Sequence, residues 1–433
     1  MMESAIRERI IRWIWIYLIL LIFEGALRKW LLPGYASVLL IIRDPVVLFI
    51  YFLALHYKVF PLGRFLMSLI IISIASLWVA LFTDNFNLYV ILYGFRCNFL
   101  HLPLIFIMAS FLSYRNIMMM GEFLLKILLP MSILMMVQLF SSPDSWINAG
   151  AGIEVYQLRA TVDNVRPPGV FSYITGIGEY FAIAASFIVY FSLHRKKGSK
   201  LLITFSIIGL VIGSLVSISR LTISGVAIVI VVSLLALFFQ PSGIRRHLMG
   251  LMILILSIFL ILNLNLAQKA LSTFNQRIEE ASNAEGGRKG YLNRISDTLF
   301  RHFKNIDEIP WQGYGLGMGT AAGAQMMTGE VTYLLAEDEI GRVLYESGPI
   351  AGLSFVTWRF ILCLWLMVSA LLACMNGYHL PILLWAASAP MLLISQLGRP
   401  TSLGFTVFIT GLCLASLCVR PPKEDIETQR FTA

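Results

Sequence analysis

LLITFSIIGLVIGSLVSISRLTISGVAIVIVVSLLALFF, residues 201–239, holds two apolar runs, 201–218 and 222–239, separated by a serine-arginine turn. The only charge in it is Arg220. An α-helix rises 1.5 Å per residue, so each run is long enough to cross most of a hydrocarbon layer of about 30 Å. Core helices of water-soluble proteins rarely sustain such runs, and this chain repeats them. Further runs lie at 11–31, 36–57, 65–82, 88–111, 121–141, 171–193, 249–266, 347–373, 380–397 and 402–419. The expected fold class is therefore all-α: a polytopic integral membrane protein of about twelve spans, one membrane domain over 1–433.

Composition agrees. Of 433 residues, 58% are hydrophobic and 13% charged, against roughly 25% charged in soluble domains; the mean hydropathy is +0.79. The net charge of +9 does not imply nucleic acid, because the basic residues lie in short clusters between apolar runs. Cys97, Cys363, Cys374, Cys413 and Cys418 show no CxxC spacing or extracellular pairing pattern, so neither a disulfide framework nor a zinc site is expected. The basic start (Arg7, Arg9, Arg12) and the apolar run to Phe23 are followed by Glu24, Arg28 and Lys29 without a small-residue cleavage site, which reads as a retained first span.

Orientation follows from the basic residues. With a cytoplasmic N-terminus, the short inner segments collect fifteen: Arg7, Arg9, Arg12, Lys58, Arg64, Arg115, Arg195, Lys196, Lys197, Lys200, Arg245, Arg246, Arg420, Lys423 and Arg430. The short outer segments collect six: Arg28, Lys29, Arg159, Arg166, Arg220 and Arg399. Both termini are expected inside, with a cytoplasmic tail at 420–433, a smaller outer loop at 142–170 and a large one at 267–345. Within the large loop, residues 288–304, beginning at Arg288, space Leu292, Ile295, Leu299 and Phe303 by three and four, as in a surface helix on a membrane. The glycine run GYGLGMGTAAG (313–323) follows a Pro-Trp pair and not a strand. It suits a turn or a close backbone approach better than a dinucleotide fingerprint. No soluble domain, low-complexity segment or internal repeat stands out.

Ionisable residues are costly in lipid, so their placement carries information. In this topology Arg43 and Asp44 fall in the outer half of span two, Arg96 in the outer half of span four, and Arg220 at the outer turn between spans seven and eight. Arg166 precedes span six, Arg399 precedes span twelve, and Arg342 and Glu346 lead into span ten. Guanidinium forks suit phosphate oxygens, and an anionic lipid-linked substrate would explain their convergence. For any one arginine the competing reading is snorkelling or an internal ion pair, Arg43 with adjacent Asp44 being the obvious case. Arg28 and Lys29 read as headgroup anchors, and Glu179 and His101 as packing or interhelical hydrogen-bonding groups. Glu337, Asp338, Glu339 and Glu346 gather before span ten, where Glu339, Arg342 and Glu346 share a helix face at i, i+3 and i+4. A carboxylate there suits the activation of a sugar hydroxyl; a solvated or self-paired acidic helix start is the alternative.

Several of these segments together resemble the bacterial O-antigen ligase and polysaccharide polymerase superfamily, over most of the chain. RPPGVFSYITG (Arg166–Gly176) resembles its arginine and glycine-phenylalanine motif, and SISRLTISG (Ser217–Gly225) its serine-arginine turn. GYGLGMG (Gly313–Gly319) resembles the glycine-rich stretch of its large loop, and RVLYESGPIAGL (Arg342–Leu353) its loop-to-helix end. YGFRCNFLHLPL (Tyr93–Leu104) and SSPDSWINAG (Ser141–Gly150) are similar to segments of a polymerase-like subgroup. The resemblance implies a metal-independent glycosyltransferase without cofactor in the bacterial cytoplasmic membrane, acting on undecaprenyl-diphosphate-linked glycan alongside chain-length regulator and flippase proteins. It implies that Arg166 and Arg220 hold the diphosphate. It places Glu337 where ligases carry a histidine, which points toward a polymerase.

Joined to the charge pattern, this gives Glu337 or Glu339 as base and Arg166, Arg220, Arg342, Arg96 and Arg43 on the diphosphate, with Asp44, Glu346, Arg288 and Arg399 supporting. A transporter of the same lipid-linked glycan and a non-catalytic subunit of an envelope assembly complex are the rival expectations.

Overall fold

A computed structural model describes residues 2–84, 86–151, 165–193, 200–236, 303, 306–330 and 332–419. Every regular element among them is helical. The expected ninth span at 249–266, the segment 288–304 apart from Phe303, and the tail at 420–433 lie outside the described residues.

Helix α1 (Met2–Ala26) runs into a π-turn at Leu27–Leu31, followed by a short turn (Pro33–Tyr35), α2 (Ala36–Leu39) and α3 (Asp44–His56). Helix α4 spans Arg64–Ala80. The next apolar run is not one rod: α5 (Leu88–Phe95) passes into a π-turn at Arg96–Leu100, and α6 (Leu104–Phe111) restarts after Pro103. Asn87 caps α5 by accepting from the Tyr89 and Val90 amides, and a Ser113–Asn116 capping box opens α7 (Tyr114–Phe140). Then come α8 (Ile174–Leu193), α9 (Lys200–Val216) and α10 (Arg220–Ala236). After the glycine run, α11 (Ala321–Thr328) starts on a Thr320 cap and stops at left-handed Gly329. Helix α12 (Glu339–Met375) starts on Asp338, whose side chain accepts from the Gly341 amide, and breaks at Gly348. Helices α13 (Leu380–Ile394) and α14 (Pro400–Cys418) close the bundle.

Among the described residues seven helical stretches are long and apolar enough to cross a membrane, and α4, α9, α10 and α13 are shorter apolar helices. The chain is thus a helical protein built for lipid. Helices α8 and α14 are buried almost all round and form the centre. Lipid-like surroundings give no hydrophobic drive between helices, so close approach depends on small residues. At the α7–α9 seam Gly209 sits against the Leu129 backbone and Ser132 Oγ donates to the Gly209 carbonyl at 2.6 Å. Gly404 of α14 leaves the space into which the Arg43 guanidinium fits; a Cβ there would lie 1.9 Å from Arg43 Nη1.

The two ends of the bundle are distinct. At one end Arg7 donates to the Phe111 carbonyl and Arg9 to Tyr57. At the other, Lys29 donates to the Gly169 carbonyl, Arg28 to Ser172 and Trp30 to the Trp146 carbonyl. Arg28 and Lys29 are 1% and 3% exposed. They pin the chain ahead of α8 to the end of α1 and do not reach a headgroup as expected, because neighbouring carbonyls satisfy them first.

Candidate functional site: a cleft between two buried ionic networks

At that second end lies a small open cleft, and Arg28, Tyr173, Tyr333, Glu337, Arg342 and Arg399 are among its lining residues. Its walls come from the chain around α1 and α2, the start of α8, the head of α11, the segment before α12 and the α13–α14 turn. The glycine run delivers one wall. Gly317 (φ +88°) presses its backbone on α5, where a Cβ would lie 2.2 Å from the Val90 carbonyl; a Cβ on the facing Gly94 would lie 2.2 Å from Gly317 N. The run is also stitched to the break in α12: Tyr314 N donates to the Tyr345 carbonyl at 2.7 Å and Gly319 N to Glu346 Oε1 at 3.0 Å. This is the close backbone approach that its composition predicts.

One buried network forms the wall. Arg342 donates to both oxygens of Glu339 at 2.9 Å, to Glu346 Oε2 at 2.7 Å and to Asn98 Oδ1 at 2.7 Å. Arg359 reaches Glu339 Oε1 at 2.7 Å and the Leu392 carbonyl at 2.6 Å, and Leu397 N donates to Glu339 Oε2. Two guanidiniums thus meet two carboxylates, and the quartet is neutral. Glu339 is 2% exposed with both oxygens taken, so it braces the wall and does not face the cleft.

A second network forms the floor. Arg43 does not pair with Asp44: its Nε donates to Glu24 Oε2 at 2.9 Å and its other nitrogens to Tyr17 and the Pro400 carbonyl. Asp44 instead accepts from Arg96 at 2.5 Å and meets His101 Nε2 at 2.9 Å, while His101 Nδ1 lies 3.2 Å from the Tyr17 hydroxyl. Glu24 also lies 3.6 Å from Arg28. Adjacent residues on a helix point about 100° apart, which is why the sequence-neighbour pair fails. His101 has the interhelical hydrogen-bonding role expected of it. Glu179 shares that role in part, accepting from Ser395 at 3.1 Å.

The arginines therefore divide. Arg43 and Arg96 are spent on internal carboxylates below the cleft, and Arg342 presents a neutralised flank. Of the remaining three, Arg399 lines the cleft, and Arg166 lies near both Tyr173 and Arg220. Arg399 lies 4.4 Å over the Tyr173 ring and donates to Tyr333 at 2.6 Å. Arg166 Nε is buried without a hydrogen-bond partner. Partial burial pulls the Arg166 guanidinium below the usual arginine range; Tyr173 opposes this, and the nearby positive charge of Arg220 adds to it. Glu337, which also lines the cleft, is exposed, and its backbone carbonyl is held by the Gln396 side chain. Arg288 lies outside the described residues.

The charge reading missed Tyr173, Tyr333, Gln396, Asn98 and Arg359. Arg359 alone carried a usable signal, a lone charge deep in the apolar run 347–373. Among the described residues no group of three metal-ligating side chains occurs. No protein-family model matches the chain, and no curated protein matches it either.

Proposed function

We propose that this chain is a polymerase-like glycosyltransferase of the O-antigen ligase and polymerase type. It joins undecaprenyl-diphosphate-linked glycan units at the outer face of the bacterial cytoplasmic membrane, with about twelve spans and both termini cytoplasmic. The observation that carries this reading is that Arg399 and Glu337 line one cleft, with Arg166 near the Tyr173 ring that Arg399 covers. In the reaction an acceptor sugar hydroxyl attacks the anomeric carbon of the donor. Its proton passes to Glu337, and the bond to diphosphate breaks with its electron pair leaving on the diphosphate. Arg166, Arg220 and Arg399 stabilise that growing negative charge, while Tyr173 and Tyr333 hold Arg399 in place.

Purified protein supplied with lipid-linked oligosaccharide is expected to yield longer chains. Arg166→Ala and Arg220→Ala are each expected to cost roughly a hundredfold or more in rate with the protein still folded. Normal elongation by both variants sinks the assignment.

A transporter of the same lipid-linked glycan is the second reading, favoured by the helix interruptions at Leu27–Leu31, Arg96–Leu100 and Gly348, since broken helices line transport sites. It predicts that deletion alters which face of the membrane carries the glycan and leaves the distribution of chain lengths unchanged.

A further inference from the structure

Helix α7 packs on α8, α9 and α14, with Phe123 against Trp15 of α1, and leaves one face open. Met119, Glu122, Lys126, Pro130, Ile133 and Val137 are all exposed and follow one another at intervals of three or four residues. That is the spacing of a seam on which a second helix packs knobs into holes. Lipid would suit an apolar stripe, but this one carries an ion pair: Glu122 and Lys126 meet at 3.9 Å with side chains 48% and 65% exposed. The pair is not at the rim of the span. Helix α7 has 27 residues and is about 40 Å long, so a hydrocarbon layer of about 30 Å centred on it leaves about 5 Å at each end. Glu122 then lies about 7 Å and Lys126 about 13 Å inside the layer, deeper than a lysine stem of about 6 Å can snorkel. Pro130 adds a polar group on the same stripe, because proline has no amide hydrogen to give the Lys126 carbonyl one turn earlier. Charges turned to lipid at such depth are costly, and a partner helix bringing opposite charge at that depth removes the cost.

We propose that this stripe is the seam of a homodimer, in which α7 packs against α7 of a second copy of this chain about a two-fold axis along the membrane normal. The charge pattern selects a second copy because it is self-complementary. A two-fold axis along the normal keeps both copies in one orientation and sets each residue beside its own counterpart at the same depth. Glu122 and the partner's Lys126 are then offset by one helical turn, as they are within one chain, so the four side chains close into a neutral ring of alternating sign. No α7 residue lines the cleft. Each copy therefore keeps its own cleft, and the dimer stands or falls independently of the glycosyltransferase reading.

The test uses the full-length chain in its native membrane, with the five native cysteines replaced and single cysteines introduced as Met119→Cys or Ile133→Cys. Oxidation with copper phenanthroline is expected to give disulfide-linked dimers at both positions and none at Ile71→Cys, which is exposed on α4. Glu122→Lys and Lys126→Glu each place four like charges in the ring, and each is expected to lower the dimer yield on the order of tenfold at equal density in the membrane. Coexpressed with different tags, the two variants are expected to capture one another at the wild-type level, since a chain with two lysines then meets a chain with two glutamates. Mutual capture also shows that both variants are folded, and an ion pair acting only within one chain gives no such rescue. A stripe covered by lipid, or by the chain's own apolar run 249–266, leaves monomers at every position and overturns the proposal. Linkage to a chain of another mass, equal linkage at Ile71→Cys, or wild-type dimer yield in either charge variant alone overturns it as well.

Discussion

Arg342 shows how much one residue's surroundings alter its meaning. Its position before span ten suggested a phosphate ligand, and its i, i+3 and i, i+4 spacing to Glu339 and Glu346 suggested a pair. The pairing is what the structure contains, at 2.9 and 2.7 Å. Removing one member of a buried pair leaves the other charge uncompensated, typically at a cost of 3–5 kcal/mol. Glu339→Ala strands Arg359 and leaves Arg342 with Glu346 as its one carboxylate partner, and it is expected to lower stability by about that amount, read as a lower thermal midpoint in detergent. Glu337→Ala touches no such network. Its midpoint is expected to stay within about 0.5 kcal/mol of the wild type while elongation is lost. A stable Glu339→Ala protein, or an active Glu337→Ala one, refutes the division of labour between the two glutamates. That division was not legible in AEDEIGRVLYESG, because two residues decide it from afar: Arg359 meets Glu339 across the break at Gly348, and Leu397 reaches it from the α13–α14 turn. The same holds for Arg43, whose true partner Glu24 lies on α1.

At the scale of elements, spans were readable because apolar length is a local property, and interruptions were less so. The run 88–111 reads as one helix, yet it is broken by a π-turn that turns Arg96 and Asn98 inward; Pro103 was the available sign. The apolar helix of span ten starts after the break at Gly348, close to the expected 347, and is preceded by a separate polar helical segment capped by Asp338 that a hydropathy reading discards. The break at Gly348 has φ +74°, open to glycine and strained for other residues. The seam between Gly94 and Gly317 makes a sharper test of how the loop is attached, since no side chain fits between those backbones. Gly94→Ala is expected to cost about 1–3 kcal/mol by overpacking and to expose residues 313–319 to limited proteolysis. Gly63→Ala, where a Cβ meets nothing within 4 Å, is the matched control and is expected to do neither. Equal protease resistance in both variants would show that the seam does not hold the loop.

For the whole molecule the decisive property is sidedness, since a cleft that takes lipid-linked glycan outside must open on the face opposite the basic clusters. Every lining segment of the cleft sits at one end of the bundle, together with Trp146 and the Lys29–Gly169 contact. Lys58, Arg115 and the Asn376–His379 turn belong to the other end, which the Arg7–Phe111 and Arg9–Tyr57 contacts mark. In the topology proposed here that other end faces the cytoplasm. Single cysteines introduced at Asp144 and Glu337, in a background lacking Cys97, Cys363, Cys374, Cys413 and Cys418, are therefore expected to react with a membrane-impermeant maleimide in intact spheroplasts. Cysteines at Lys58 and Arg115 are expected to react only after permeabilisation. The reverse pattern would turn the cleft toward the cytoplasm, where undecaprenyl-linked units are built and not joined, and would rule out outer-face polymerisation whatever the fate of the arginine variants. Labelling of Glu337→Cys from both sides would instead mark a cleft that alternates its access, which is the transporter's signature and not the polymerase's.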